Sequence, residues 1–243
     1  MSDVIGFQAV RSVLTSSPGR ARVLYVQQGR RDARASEVIA LAKESGVRFQ
    51  SKQAAWFKQR VTEGVHQGVL LECHELAVLS EAEFFADWAS LPPNPLLLVL
   101  DGVTDPRNFG ACLRTANGAG VDAVLFPKRN SAPLNALALK TAQGGAETLR
   151  LVEVTNLARC LKSLQSQNVW VVGADDEADL NHYALQATGP LALVCGSEGK
   201  GLRRLTRESC DQLVRIPMSG SVSSLNVSVA TGVLLFEFAR QRA

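Results

Sequence analysis

Apolar and polar positions along this chain fall into two repeating patterns. Runs of four to six buried-type residues alternate with longer stretches at helical spacing. In the second half the runs predict strands over 96–101, 123–127, 149–154, 169–173, 191–195 and 213–216, with helices over 108–119, 133–143, 155–166, 203–210 and 224–240. Thr155 is the expected N-cap of the third of these helices. Strand–helix alternation of this regularity, with strands apolar throughout, predicts a parallel sheet covered on both faces. The last helix is apolar almost all round. Leu225, Val229, Val233 and Phe236 form one stripe, while Val227, Leu234, Leu235 and Phe238 lie elsewhere. Such a helix is buried on several sides, as a central core helix is.

The first 73 residues alternate less regularly. Helical spacing over Gly6 to Leu14 precedes a strand at Val23–Val26, and an amphipathic helix over Ala33 to Ser45 stops at Gly46. A short extended piece at 47–49, a helix through Trp56 and Phe57 capped by Ser51, and a strand at 68–71 complete a small α/β sandwich. Residues 74–95 read as a connector, acidic at Glu75, Glu81, Glu83 and Asp87, with a helical turn between Ser80 and Ser90 and a break at Pro92-Pro-Asn-Pro95. The expected organisation is therefore a domain over 1–73, a linker over 74–95 and a larger α/β domain over 96–243.

Composition narrows the classes. No apolar run approaches the roughly 18 residues of a membrane span. The start of the chain lacks the basic and apolar regions of a signal peptide. Five cysteines without a Cys-x-x-Cys pair, and three histidines without metal spacing, argue against a disulfide frame or a metal site. The expectation is a cytoplasmic protein with reduced thiols, no membrane association and no metal. The net charge of +3 decides little, but its distribution is uneven. Residues 1–73 hold 11 Lys/Arg against 6 Asp/Glu, a net of +5, and the remainder 15 against 17, a net of −2. The basic first part suits a polyanion, with Arg20, Arg22, Arg30, Arg31 and Arg34 as candidate phosphate contacts.

Three strand–loop–helix junctions carry the unusual chemistry. After strand 96–101 comes Gly102-Val-Thr-Asp-Pro-Arg-Asn-Phe-Gly110, after 191–195 comes Gly196-Ser-Glu-Gly-Lys-Gly-Leu202, and after Ile216 comes Pro-Met-Ser-Gly-Ser-Val-Ser-Ser-Leu-Asn226. Open α/β sheets bind ligands at such junctions, so the three suggest one composite site. Neither a Walker phosphate loop nor a dinucleotide fingerprint is present.

Asn108 through Arg114, Leu193 through Gly201 and Ile216 through Asn226 resemble, in order, spacing and residue identity, the three motifs of the SpoU-type (SPOUT) RNA ribose methyltransferases. The first part, ending in Gly64-Val-His-Gln-Gly68, resembles the substrate-binding domain of the members that methylate guanosine in bacterial 23S rRNA. The resemblance implies a ribosomal-protein L30-like first domain, and a second domain with a trefoil knot and a homodimer surface on its last helix. It implies 2′-O-methylation of a guanosine ribose in the peptidyl-transferase region of 23S rRNA, free or in a large-subunit assembly intermediate. S-adenosyl-L-methionine is the implied cofactor.

The same resemblance assigns Gly196, Ile216, Met218, Ser224 and Leu225 to cofactor binding, and Asn108, Arg114, Glu198 and Asn226 to catalysis. Bottom-up, each also has an ordinary role. Asn108 suits a helix N-cap, Glu198 a cap of its own glycine turn, Asn226 a helix-end hydrogen bond and Arg114 a solvated surface. Arg114, leaning toward the start of its helix, could instead grip a phosphate bidentately. Two other readings stand at this point, a tRNA ribose methylase and a noncatalytic rRNA-binding assembly factor.

Overall fold

The computed structural model describes residues 2–62 and 64–243, and divides the chain into two compact units. Residues 1–77 with 134–148 form one, and 78–133 with 149–243 the other.

The first unit is built on β1 (Ser2–Ile5), α1 (Phe7–Ser16), β2 (Ala21–Gln27), α2 (Ala33–Glu44), β3 (Arg48–Lys52), α3 (Ala54–Arg60) and β4 (Val69–Cys73). The sheet order is β1-β4-β2-β3, with β2 and β3 parallel and the other pairs antiparallel. Val10, Val13 and Leu14 of α1 and Val38 and Ala42 of α2 close over Leu24, Val26 and Leu71. Two expectations fail here. Ser51 is no helix cap, because it lies within β3 opposite Val26, and α3 begins after Gln53 without a side-chain cap. β1 went unforeseen because four residues, one of them buried, carry almost no periodicity.

The second unit opens with β5 (Val78–Ser80) and α4 (Glu81–Ala86), where a linker was expected. β5 pairs in parallel with a later strand of the unit. Ser80 caps α4 in a reciprocal box with Glu83, and Phe84, 1% exposed, enters the core. Only the proline-rich stretch before residue 96 matches the linker. Then follow β6 (Leu96–Asp101), α5 (Pro106–Gly118) and β7 (Ala123–Pro127). The next helix, α6 (Ala136–Ala142), belongs to the first unit, where it packs on β1. Ser12 donates to the Gly144 carbonyl there, and Arg20 is ion-paired to Glu147.

β8 (Arg150–Val154), α7 (Leu157–Ser166), β9 (Trp170–Ala174), β10 (Leu180–Asn181), β11 (Leu191–Gly196), α8 (Arg204–Glu208), β12 (Gln212–Arg215) and α9 (Val227–Arg242) complete the second unit. Its eight strands run in the order β10-β12-β9-β11-β6-β7-β8-β5, and every pairing is parallel. Leu97 and Val99 meet Phe84 of α4 and Leu157, Leu161 and Leu164 of α7 on one face. By alternation Leu96, Leu98 and Leu100 face the other side, where α5 and α9 pack together. The cap of α7 is Asn156, accepting from the Arg159 amide at 3.1 Å, and not Thr155.

Phe84 tests whether residues 78–95 belong to this core. Phe84→Ala should destabilise the full chain by about 3–5 kcal/mol, the usual cost of emptying a buried phenylalanine site. Urea unfolding measures it, and a shift below 1 kcal/mol would return the segment to the status of a linker.

Candidate active site

The β6–β11 ladder sets Asp101 opposite Gly196, so the loops leaving both strands start side by side. The loop after β11 is a tight turn, closed by reciprocal backbone bonds between Ser197 and Gly201 at 3.0 and 2.9 Å. A Cβ on Gly196 would lie 2.1 Å from the Gly201 carbonyl carbon, so only glycine lets the turn fold back here. Glu198 rides on the tip, exposed.

Helix α5 begins earlier than its apolar pattern implied. Asp105 is the N-cap, accepting from the Arg107 amide at 2.7 Å, and Pro106 opens the first turn. Asn108 is thus freed from capping, and its Nδ2 donates to Glu198 Oε2 at 3.1 Å. Asn226 does cap α9, its Oδ1 accepting from the Ser228 amide at 3.0 Å. Its Nδ2 points the other way, to Asn108 Oδ1 at 3.1 Å and Glu198 Oε2 at 3.4 Å. Three residues from three strand–loop–helix junctions therefore close a ring of amides around one carboxylate oxygen. Glu198 Oε1 has no partner among the described residues. The capping role considered for Glu198 is absent, since the turn closes on its own backbone.

Arg114 does not join this ring. It sits in the third turn of α5, exposed, with no hydrogen bond or ion pair among the described residues. Helix geometry puts it about 9 Å along and about 120° around from Asn108. Lys200 is exposed, as a solvated lysine should be.

Beside the ring lies a cavity of about 480 Å³, within the usual range for a small-molecule site. All five residues expected to hold a cofactor line it: Gly196, Ile216, Met218, Ser224 and Leu225, joined by Glu198. Asp175, Asp176 and Glu177, from the loop after β9, line it too and were not foreseen. The signal was there: β9 ends at the same sheet edge and is followed by three acids, a fourth junction of the same kind. Asp175 is committed to Arg207, 2.6 Å away, and its carboxylate raises the pKa of that guanidinium. Cys195 also lines the cavity, but burial pushes its thiol up to about 12, so it stays protonated at neutral pH and is a poor nucleophile. Among the described residues no three His, Cys, Asp or Glu side chains are grouped to hold a metal ion.

Comparison with known proteins places this geometry. Residues 95–236 match the SpoU rRNA Methylase family, and residues 4–79 match the RNA 2′-O ribose methyltransferase substrate binding family. The 23S rRNA (guanosine-2′-O-)-methyltransferase RlmB of Yersinia pestis is 51% identical over 243 residues, covering 100% of this chain and 98% of its own. The protein of the same name from Escherichia coli K12 is 48% identical over 244 residues and all of both chains. The fold matches the SpoU methyltransferase AviRb of Streptomyces viridochromogenes, solved with AdoMet, with a TM-score of 0.79 over 99% of this chain and 90% of that one, at 22% identity. With three loops, their motifs and the full-length relatives in agreement, the chain belongs to the SpoU rRNA methylase family.

Proposed function

We propose that the protein transfers a methyl group from S-adenosylmethionine to the 2′-hydroxyl of a guanosine ribose in 23S rRNA. The amide ring of Asn108, Glu198 and Asn226 at the mouth of a nucleoside-sized cavity is the observation that carries the reading. The cavity fits the cofactor. Ile216, Met218 and Leu225 offer apolar walls for an adenine, and the strand ends at Gly196 and Ile216 offer backbone groups. When bound, the cofactor supplies a methyl group already made electrophilic by its sulfonium.

The chain's own residues then have to orient the acceptor and manage its proton. Both amides donate to Oε2 and orient the Glu198 carboxylate, and Oε1 remains to accept a hydrogen bond from a ligand hydroxyl. Arg114, unpaired and exposed, is free to take an RNA phosphate in a bidentate fork and to stabilise developing negative charge on the attacking oxygen. A guanidinium offers donors and no acceptor, which argues against a simple base role.

The RNA-contact surface of the first unit differs from the arginines expected. Arg20 is paired with Glu147, Arg22 with Glu72 at 3.1 Å and Arg30 with Asp32 at 2.6 Å. These three are structural. Arg31 and Arg34 make no ion pair among the described residues, and the Lys52 ammonium lies 5.8 Å from the ring centroids of Tyr25 and Trp56. The Gln28 amide donates to the Lys52 carbonyl at 2.9 Å, which brings the loop carrying Arg31 beside Lys52. Arg34, in the first turn of α2, adds to the positive end of that helix. We assign Arg31, Arg34 and Lys52 to RNA phosphates.

Val229, Val233 and Phe236 leave one stripe of α9 exposed at 51, 38 and 54%, which supports a homodimer through this helix. The position of β11 between β6 and β9, with α9 returning against α5, supports the trefoil knot implied by the family. No helix among the described residues is long and apolar enough to cross a membrane. We place the protein in the cytoplasm with its rRNA, and the target guanosine in the peptidyl-transferase region on the strength of the family resemblance.

Arg114→Ala should nearly abolish methyl transfer to 23S rRNA while cofactor affinity, titrated by calorimetry, stays within a few-fold of wild type. Arg114→Lys should fail as well, since an ammonium lacks the planar fork; near-normal turnover by the lysine variant would remove Arg114 from this role. In the first unit, replacing Arg31, Arg34 and Lys52 together by alanine should flatten the salt dependence of RNA binding. The log–log slope should fall by about 2–3, three phosphate contacts at about 0.7–0.9 each. An unchanged slope would locate the contacts elsewhere. Val233→Glu with Phe236→Glu should sediment as a monomer; an intact dimer would show that α9 is not the interface.

A further inference from the structure

Among the described residues Asp101 is the one charged side chain that is fully buried, at 0% exposure. It ends β6 and takes no part in the amide ring. Its Oδ2 accepts from the Arg203 main-chain N–H at 2.9 Å, and its Oδ1 accepts from Arg203 Nε at 2.5 Å and pairs with the terminal guanidinium nitrogen. A carboxylate at the end of a buried strand is costly to keep, and apolar residues of similar size would serve stability as well. Its use points to a geometric role.

Arg203 stands two residues past the end of the glycine turn. That turn is fixed at its start by the β6–β11 ladder, through the pairing of Gly196 with Asp101 itself. It is closed on itself between Ser197 and Gly201. Leu202 then anchors in the core beneath. On the other side Asp101 is followed by Gly102, at φ +77°, whose added Cβ would stand 3.8 Å from the Ser197 side chain. The loop that leads to Asn108 thus packs against the turn that carries Glu198. One carboxylate sits where both loops begin and holds the far end of the turn.

We infer that Asp101, through Arg203, is a positioning residue that fixes the turn carrying Glu198 relative to the start of α5, which carries Asn108, and so sets the amide ring for catalysis. Asp101 touches neither cofactor nor RNA in this role. It acts by removing freedom from the turn, whose glycines at 199 and 201, both at positive φ, would otherwise leave Glu198 several places to go. The inference rests on the methyl-transfer reading of the site.

The test uses the full chain with 23S rRNA transcript and S-adenosylmethionine. Asp101→Asn keeps the shape but brings an amide N–H group against the donors of Arg203. We expect kcat to fall at least roughly tenfold, in line with the cost of misplacing a group by about 1 Å. KM for RNA should stay within about two-fold, because the RNA contacts lie elsewhere. A merely structural role would instead lower the urea midpoint and the fraction of active enzyme.

The decisive readout is coupling. Asp101→Asn and Glu198→Gln should each lower kcat, and the double variant should be no slower than Glu198→Gln alone. Multiplying effects in the double variant would overturn the inference. So would wild-type kcat in Asp101→Asn. If Asp101→Asn does not fold, Arg203→Met serves in its place, since it keeps the main-chain bond to Asp101 and removes only the fork. The same coupling to Glu198 supports the clamp, and wild-type kcat overturns it. A wild-type chain that neither binds the cofactor nor methylates the transcript would sink the activity reading itself. A working wild type with an unimpaired Asp101→Asn would sink the clamp alone.

Discussion

The parallel ladder between β6 and β11 is the constraint on which the rest of the site depends. Its six-residue register runs from Leu96 opposite Leu191 to Asp101 opposite Gly196, without a shift. Side chains along a strand alternate between faces, so a slip by one residue would reverse every inward contact. Leu97 and Val99 would leave the α4–α7 core, and Leu96 and Leu98 would replace them. Both faces of β6 are buried, so what resists that exchange is side-chain packing and the loss of the Asp101 bonds to Arg203; these fix the strand ends, and the strand ends fix the loops. Asn108 and Glu198 are 90 residues apart in sequence yet meet at 3.1 Å because the paired strand ends start their two junctions side by side.

Most of the second unit was legible from its apolar runs. Six strands stand within a residue or so of the expected positions, because strands buried on both faces give continuous signals. What escaped was short or unpatterned. β5 has three residues and β10 two, and each joins the sheet only because a neighbouring edge offers unpaired backbone groups. Caps escaped for another reason. Thr155 and Asn156 are both good capping residues, and adjacent candidates can be separated only by the backbone path. Asn108 looked like a cap because its helix was started two residues late; Asp105 and Pro106 supply a better start, and this releases the Asn108 amide for Glu198. The site residues came from motif resemblance. The way they share hydrogen bonds could not, since an asparagine has an acceptor and a donor and sequence does not say where each one points.

Charge shows the same limit. The basic excess of the first 73 residues is real, but a count does not distinguish a cation spent inside the fold from one offered to solvent. Arg20 is 9% exposed and bound to Glu147, a residue 127 positions away that no local reading would pair with it. Arg31 and Arg34 have no such partner. Affinity for a polyanion depends on the cations free to replace its counterions, which is why we assign RNA to Arg31 and Arg34 and leave Arg20 to the fold.

Asn226 shows how the two demands meet in one side chain. Its oxygen closes the first turn of α9 through the Ser228 amide, and its nitrogen reaches Asn108 and Glu198. An aspartate would cap the helix as well or better. It would, however, set a second carboxylate against Glu198 and offer no donor, and like charges at that distance repel. A serine would cap but be too short to span to the ring. Only the amide both satisfies the helix end and donates to an anion. The residue type at this position is therefore decided by the carboxylate it faces, and helix capping alone would have left four or five choices open.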